Sequence, residues 1–295
     1  MDAPRGARSE YLKASTSAAE LLSATPIMRS GWPWRRLTWR QRVLPDVIIP
    51  GVQKCGTSSL FAWMVQHPEV HGSIPKEVHY FDGGRTSARD DWPLGEPWYR
   101  AHFPTRARVG GGIAIEATPR YMLHPTAPER IASALPDVRL IVLLRDPVER
   151  AISHYFHEKK RGREPLGLLE ALDAETERIG LRDDGSYPID REEWIRASYV
   201  LRGMYADQVE RLFASIDPDR ILVLESDHMF AEPGRTLRTV FEFSGVRPDV
   251  IPSDLSPRMV GRHSDVDPEA RAYLERLFQE PNRRLYDLIG EDYGW

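Results

Sequence analysis

The chain has 295 residues, enough to bury a full core, and α/β folds of that length often form a single domain. Its 40 basic and 44 acidic side chains give a formal charge of -4, which argues against a global attraction to nucleic acid or an anionic membrane surface. A single cysteine, Cys55, excludes an internal disulfide framework and any multi-cysteine metal site.

No stretch approaches the roughly 20 apolar residues of a membrane span. The sequence opens Met1-Asp2-Ala3-Pro4-Arg5, with no apolar core of signal-peptide type. A soluble cytoplasmic enzyme is therefore expected. The Arg and Ala bias, with only five lysines, points to a GC-rich bacterial genome.

Residues 1–44 read as an N-terminal arm. Its first 30 residues are polar and rich in Ala and Ser, and are expected to be a disordered or loosely helical tail. Trp32, Trp34 and Trp39 then sit among Arg35, Arg36, Arg40 and Arg42. Two readings stand: an arm packed on the domain, or an aromatic and basic surface near an acceptor site.

The domain is assigned to residues 45–295. Asp46 to Pro50 reads as a buried strand, and Thr57 to His67 as a helix with Leu60, Phe61, Met64 and Val65 at helical spacing, closed by Pro68. Further strands are expected at 113–116, 139–144 and 220–224. Helices are expected at 147–161, 192–213, 233–243 and 268–279. Strands alternating with helices predict a three-layer α/β fold of P-loop type, with a central parallel sheet flanked by helices on both faces.

The chemistry starts in the loop Gly51-Val52-Gln53-Lys54-Cys55-Gly56-Thr57-Ser58-Ser59. A strand, a Gly-containing turn and a helix N-terminus together direct unpaired N–H groups at an anion. The frame Gly-x4-Gly is that of a Walker A loop, but Lys54 comes two residues before the second glycine. The nucleoside-triphosphatase consensus is thus missed. From the loop alone, a tight turn without ligand also stays open.

The run Ile48 to Leu60, followed by His67-Pro68-Glu69-Val70 and by Lys76-Glu77-Val78-His79-Tyr80-Phe81-Asp82, resembles the PAPS-dependent sulfotransferase family. PAPS is 3'-phosphoadenosine-5'-phosphosulfate, and its product PAP is the 3',5'-bisphosphate. The resemblance extends over residues 45–295 and is to the heparan sulfate 3-O- and N-sulfotransferase branch and its bacterial relatives. It implies that Lys54, Cys55, Gly56, Thr57, Ser58 and Ser59 bind the 5'-phosphosulfate, with Lys54 on the oxygen bridging phosphorus and sulfur.

Leu143 to Ser153 resembles the site for the 3'-phosphate, which implies roles for Arg145 and Ser153. Asp146, beside Arg145, reads as structural. No metal is expected, because sulfuryl transfer carries less charge than phosphoryl transfer. The resemblance makes Glu77 the general base for an acceptor hydroxyl, with His79 and Asp82 supporting it or the acceptor. Tyr80 and Phe81 read as core.

Gly261-Arg262-His263-Ser264 resembles a loop closing over the donor phosphates, although its usual leading lysine is Val260 here. A second family lysine is replaced by Ala117 in Glu116-Ala117-Thr118-Pro119-Arg120-Tyr121, and Arg120 is the candidate to fill that gap. Tyr199, Arg202 and Tyr205 read either as packing or as residues near donor and acceptor. Lys159 to Arg163 reads as a solvated basic run or as an attraction for an anionic acceptor. Cys55 reads as a small turn residue, with a reactive thiol as the sharper alternative.

The implied activity is sulfuryl transfer from PAPS to a hydroxyl of a saccharide, glycolipid or other hydroxylated small molecule. A P-loop kinase or hydrolase, and a non-catalytic PAP(S)-binding protein, are the alternatives.

Overall fold

The computed structural model describes residues 27–85, 90–182, 186–258 and 266–295. Helix α1 (Ile27–Leu37) begins inside the stretch expected as a tail. Its C-terminal half is tied to the body. Arg35 Nε donates to the Ala101 carbonyl at 2.6 Å, Arg42 Nη1 donates to that of Phe103 at 2.6 Å, and Trp32 stacks edge-on against His102 at 4.7 Å. Trp34 and Leu37 stay exposed.

Strand β1 (Val47–Gly51) is buried along its whole length. Helix α2 (Thr57–Met64) follows it, and ends before the expected His67 because the residue preceding Pro68 is pushed out of the helical region. A short strand β2 (Val70–Gly72), absent from the sequence expectation, comes next. Strand β3 (Ile113–Ala117), helix α3 (Ala127–Ala134), strand β4 (Arg139–Leu144) and helix α4 (Pro147–Lys160) complete the first half. Helix α5 (Tyr205–Ser215), strand β5 (Ile221–Glu225), helix α6 (Pro233–Ser244) and helix α7 (Pro268–Ile289) form the second.

The five strands make one parallel sheet in the order β2-β3-β1-β4-β5. Val47 pairs with Ile115 on one side and with Arg139 on the other. Covered on both faces, the central strands are continuous apolar runs rather than alternating ones. The chain passes to opposite sides of β1 when it builds β3 and β4. Such a switch point opens a crevice at the carboxyl ends of the strands.

Two further expected helices differ in extent. The one expected over 192–213 is broken: residues 192–196 form a short helix, 201–203 a 3-10 turn, and α5 starts at Tyr205. The buried Glu175 carboxylate accepts from the N–H groups of Val200 at 2.6 Å and Leu201 at 2.8 Å, which ends one helix and turns the chain. Gly203 presses against α7, where a Cβ would lie 2.6 Å from Phe278. Helix α7, in contrast, runs ten residues beyond the expected Gln279 and through Pro281, because Leu274, Phe278, Asn282 and Leu285 keep one buried face.

Candidate active site

Four strands deliver their carboxyl ends to one region. The loop after β1 is shaped by Lys54 at φ 76° and Gly56 at φ 91°, both left-handed, and by α2 beginning at Thr57. Glycine suits position 56 for its conformation, and a Cβ there would in addition have to displace the Met229 Cε methyl, 2.8 Å away. Ser226 just past β5 donates to the Cys55 carbonyl at 3.1 Å and holds the loop from below.

Within the loop the side chains divide. Cys55 is fully buried, and burial pushes its thiol up to about 11, so it offers only its backbone to a ligand and the reactive-thiol reading is set aside. Ser59 is also buried, and its hydroxyl accepts from the Arg258 N–H at 2.8 Å, which directs it away from the cradle. Thr57 and Ser58 remain at the helix N-terminus with Lys54.

Positive charge is concentrated around Lys54. Burial, then the repulsion of Arg145, Arg161 and Arg150, holds its ammonium below the ordinary lysine value. Arg145 leaves the end of β4, and its backbone carbonyl accepts from Tyr205 Oη at 2.9 Å. Asp146 caps α4 by accepting from the Val148 N–H at 2.9 Å, which is the structural role expected of it. Ser153, His157 and Arg161 lie four residues apart on α4 and at its cap, and so share one face. Cations that destabilise one another in this way are stabilised by an anion placed among them.

Opposite them stands a chain of alternating charge. Lys76 Nζ is 3.0 Å from Glu77 Oε1, and His79 Nε2 is 3.4 Å from Glu77 Oε2. His79 Nδ1 is 2.8 Å from Asp82 Oδ2, which also accepts from Arg120 Nε at 2.7 Å. His79 is in the left-handed region, φ 61°, and this turns its ring between the two carboxylates. Burial works against the Glu77 charge, but Lys76 and then His79 outweigh it and hold its carboxyl well below the usual range. Burial likewise opposes ionisation of Asp82, yet His79 and Arg120 hold it down to about 2. For His79, burial is outweighed by Asp82 and Glu77, and its pKa is raised.

His157 on α4 is pushed down to about 4 by burial and then by Lys54 and Arg161, while Glu77 pulls it the other way. One imidazole thus senses both the loop after β1 and the segment after β2.

The structure therefore brings Lys54, Gly56, Thr57, Ser58, Arg145 and Ser153 together on one side and Glu77, His79 and Asp82 on the other. Gly261, Arg262 and His263 lie outside the described residues. Arg120 does not fill the gap at Ala117. Its guanidinium is taken up by Asp82 and by the backbone carbonyls of Asp82 and Gly84. Tyr199 donates to Glu164 Oε2 at 2.7 Å and Arg202 to Ser198 Oγ at 2.8 Å, so both are packing residues. Lys159 bonds the carbonyls of Pro165 and Leu166, and Arg163 pairs with Glu158 at 3.4 Å.

Sequence reasoning missed the supports of the Glu77 segment. Thr118 Oγ1 accepts from the Val78 N–H at 3.0 Å, and Tyr121 Oη accepts from that of Tyr80 at 2.9 Å. It also missed His157, and read Arg161 only within the basic run 159–163, although both follow Ser153 at steps of four residues. Among the described residues, no group of three His, Cys, Asp or Glu side chains is placed to hold a metal ion, and no helix is long and apolar enough to cross a membrane.

The arrangement suits a phosphate-bearing donor on the cationic side and a proton acceptor on the carboxylate side. The chain is 28% identical over 275 residues to the mouse (Mus musculus) heparan sulfate glucosamine 3-O-sulfotransferase 3B1, covering 85% of this chain and 65% of that protein's length. It is 28% identical over 278 residues to the human (Homo sapiens) heparan sulfate glucosamine 3-O-sulfotransferase 6, covering 86% and 75%. A crystal structure of a sulfotransferase from Alicyclobacillus acidocaldarius superposes with a TM-score of 0.66 at 28% identity, over 85% of this chain and 97% of that one. The model of the sulfotransferase domain matches residues 44–257, and the chain belongs to that family.

Proposed function

We propose that this chain transfers a sulfuryl group from PAPS to an acceptor hydroxyl by in-line displacement, with residues 45–295 as the catalytic unit and 1–44 as an arm. The observation that carries this reading is the loop after β1, whose left-handed Lys54 and Gly56 lead into the N-terminus of α2, together with the Glu77 carboxylate held between Lys76 and His79. The donor supplies the sulfuryl group and departs as PAP. Lys54, at the left-handed corner of the loop, holds the charge that develops on the departing oxygen. Arg145 and Ser153 bind the second phosphate.

Glu77 takes the acceptor proton and becomes neutral, so the negative charge it gives up appears on the sulfate ester while the donor's total charge is kept by PAP. Because Lys76 and His79 keep Glu77 a weak base, it accepts that proton only as the sulfur–oxygen bond forms. His79 fixes one carboxylate oxygen and is itself fixed by Asp82. No metal takes part in this scheme.

The acceptor is a saccharide hydroxyl or that of another hydroxylated small molecule. The relatives' names make an amino-sugar chain the first candidate. The test is a panel of heparan sulfate, glycolipid and small phenolic or alcohol acceptors with radiolabelled PAPS. Label should enter at least one class, and Glu77→Gln should lower turnover about 100- to 10,000-fold with PAP affinity unchanged. Undiminished turnover in Glu77→Gln removes the base assignment. Binding of PAP with no acceptor labelled favours a non-catalytic binding protein, and tight Mg-ATP binding without PAP affinity favours a kinase.

A further inference from the structure

The Lys76 side chain is only 5% exposed, although it ends in an ammonium group. Its backbone is fixed by β3, since the Lys76 carbonyl accepts from the Ala117 N–H at 3.2 Å and from Ser73 Oγ at 3.1 Å. Position 76 thus sits beside position 117, where a lysine was expected and an alanine stands. No described group accepts a well-aligned hydrogen bond from Lys76 Nζ, and its ion-pair partner among the described residues is the Glu77 carboxylate, 3.0 Å away. Burying an ammonium group costs several kcal/mol unless a counter-charge compensates. A packing role would be filled better by an apolar chain.

We propose that Lys76 is the positioning residue of the acceptor side, its ammonium fixing the Glu77 carboxylate and supplying the positive charge that position 117 lacks. Oε1 of Glu77 is held by Lys76 and Oε2 by His79, so the carboxylate plane is set from both ends. The other groups that act on Glu77 leave this role to Lys76. His79 is shared with Asp82, His157 reaches from α4 as a neutral imidazole at physiological pH, and Arg120 is committed to Asp82.

The inference rests on the Glu77 assignment of the proposed function, and it is tested by a readout that needs no acceptor. The glutamate side-chain carboxyl carbons are labelled with 13C in the full chain saturated with PAP, and Glu77→Gln identifies the Glu77 resonance. In the wild type that resonance should stay a carboxylate's far into acid. Lys76→Met and Lys76→Gln should each raise its titration midpoint by about one to three pH units, and Lys76→Arg should restore it to within about half a unit. PAP affinity close to wild type shows that each variant is folded. An unmoved midpoint in both Lys76→Met and Lys76→Gln overturns the inference. Retained sulfation by Glu77→Gln overturns the base assignment instead, so the two failures are distinct.

Discussion

Replacing Asp82 with alanine removes the carboxylate that Arg120 and His79 share. The Asp82 side chain is fully buried, and Arg120, 7% exposed, places Nε 2.7 Å from its carboxylate. Removing one partner of a buried pair typically costs about 3–5 kcal/mol, because the other charge is left uncompensated. Arg120 keeps its bonds to the carbonyls of residues 82 and 84, so the lower end, about 3 kcal/mol, applies here. With an unfolding entropy of about 2.1 cal/mol/K per residue, a chain of this size would lose about 5 °C in Tm. Urea unfolding followed by tryptophan fluorescence should show a lower midpoint at unchanged slope. The double variant Asp82→Leu with Arg120→Met should recover much of the loss. A cost below about 1 kcal/mol for Asp82→Ala, or strict additivity of Asp82→Leu and Arg120→Met measured singly and together, would refute the reasoning that each charge of this buried pair compensates the other.

Three further outcomes are expected. Burial pushes Glu116 up to about 8, so the folded state holds a proton that the unfolded state releases near pH 4.5. Wild-type stability should therefore fall as pH rises from about 4.5 to 8, while Glu116→Gln should lack that decline and be the more stable protein at pH 8; parallel pH–stability curves would contradict this. Cys55 should resist an aromatic disulfide reagent at pH 8 in the native chain and react at once in urea, and native reactivity would show that the loop opens. Lys54→Ala should weaken PAP binding by calorimetry about 10- to 150-fold, the worth of a hydrogen bond to a charged group, with little change in Tm; equal affinity would separate Lys54 from the donor.

Local signals marked much of this site because its parts are local devices. A strand, a left-handed glycine and a hydroxyl-rich helix start are contiguous in the loop at 51–59, and Asp146-Pro147 announces the start of α4 by its cap and first-turn proline. Strand β2 gave no such signal. It is three residues long, carries a histidine and a glycine, and is a strand only because β3 offers it an edge. The break between residues 196 and 205 was equally hidden, since the carboxylate that turns the chain belongs to Glu175.

By itself the sequence determined the parallel α/β architecture, the strand–turn–helix loop around Lys54 and the place of Arg145 at a strand end, all of which rest on residues near one another in the chain. Tertiary structure alone decided which charges meet. It gave Arg120 to Asp82 and set Lys76 beside Ala117 and Glu77. The physical reason is that a side chain's electrostatic partner is chosen by distance and burial, and neither is a property of sequence spacing once strands from different parts of the chain share one edge.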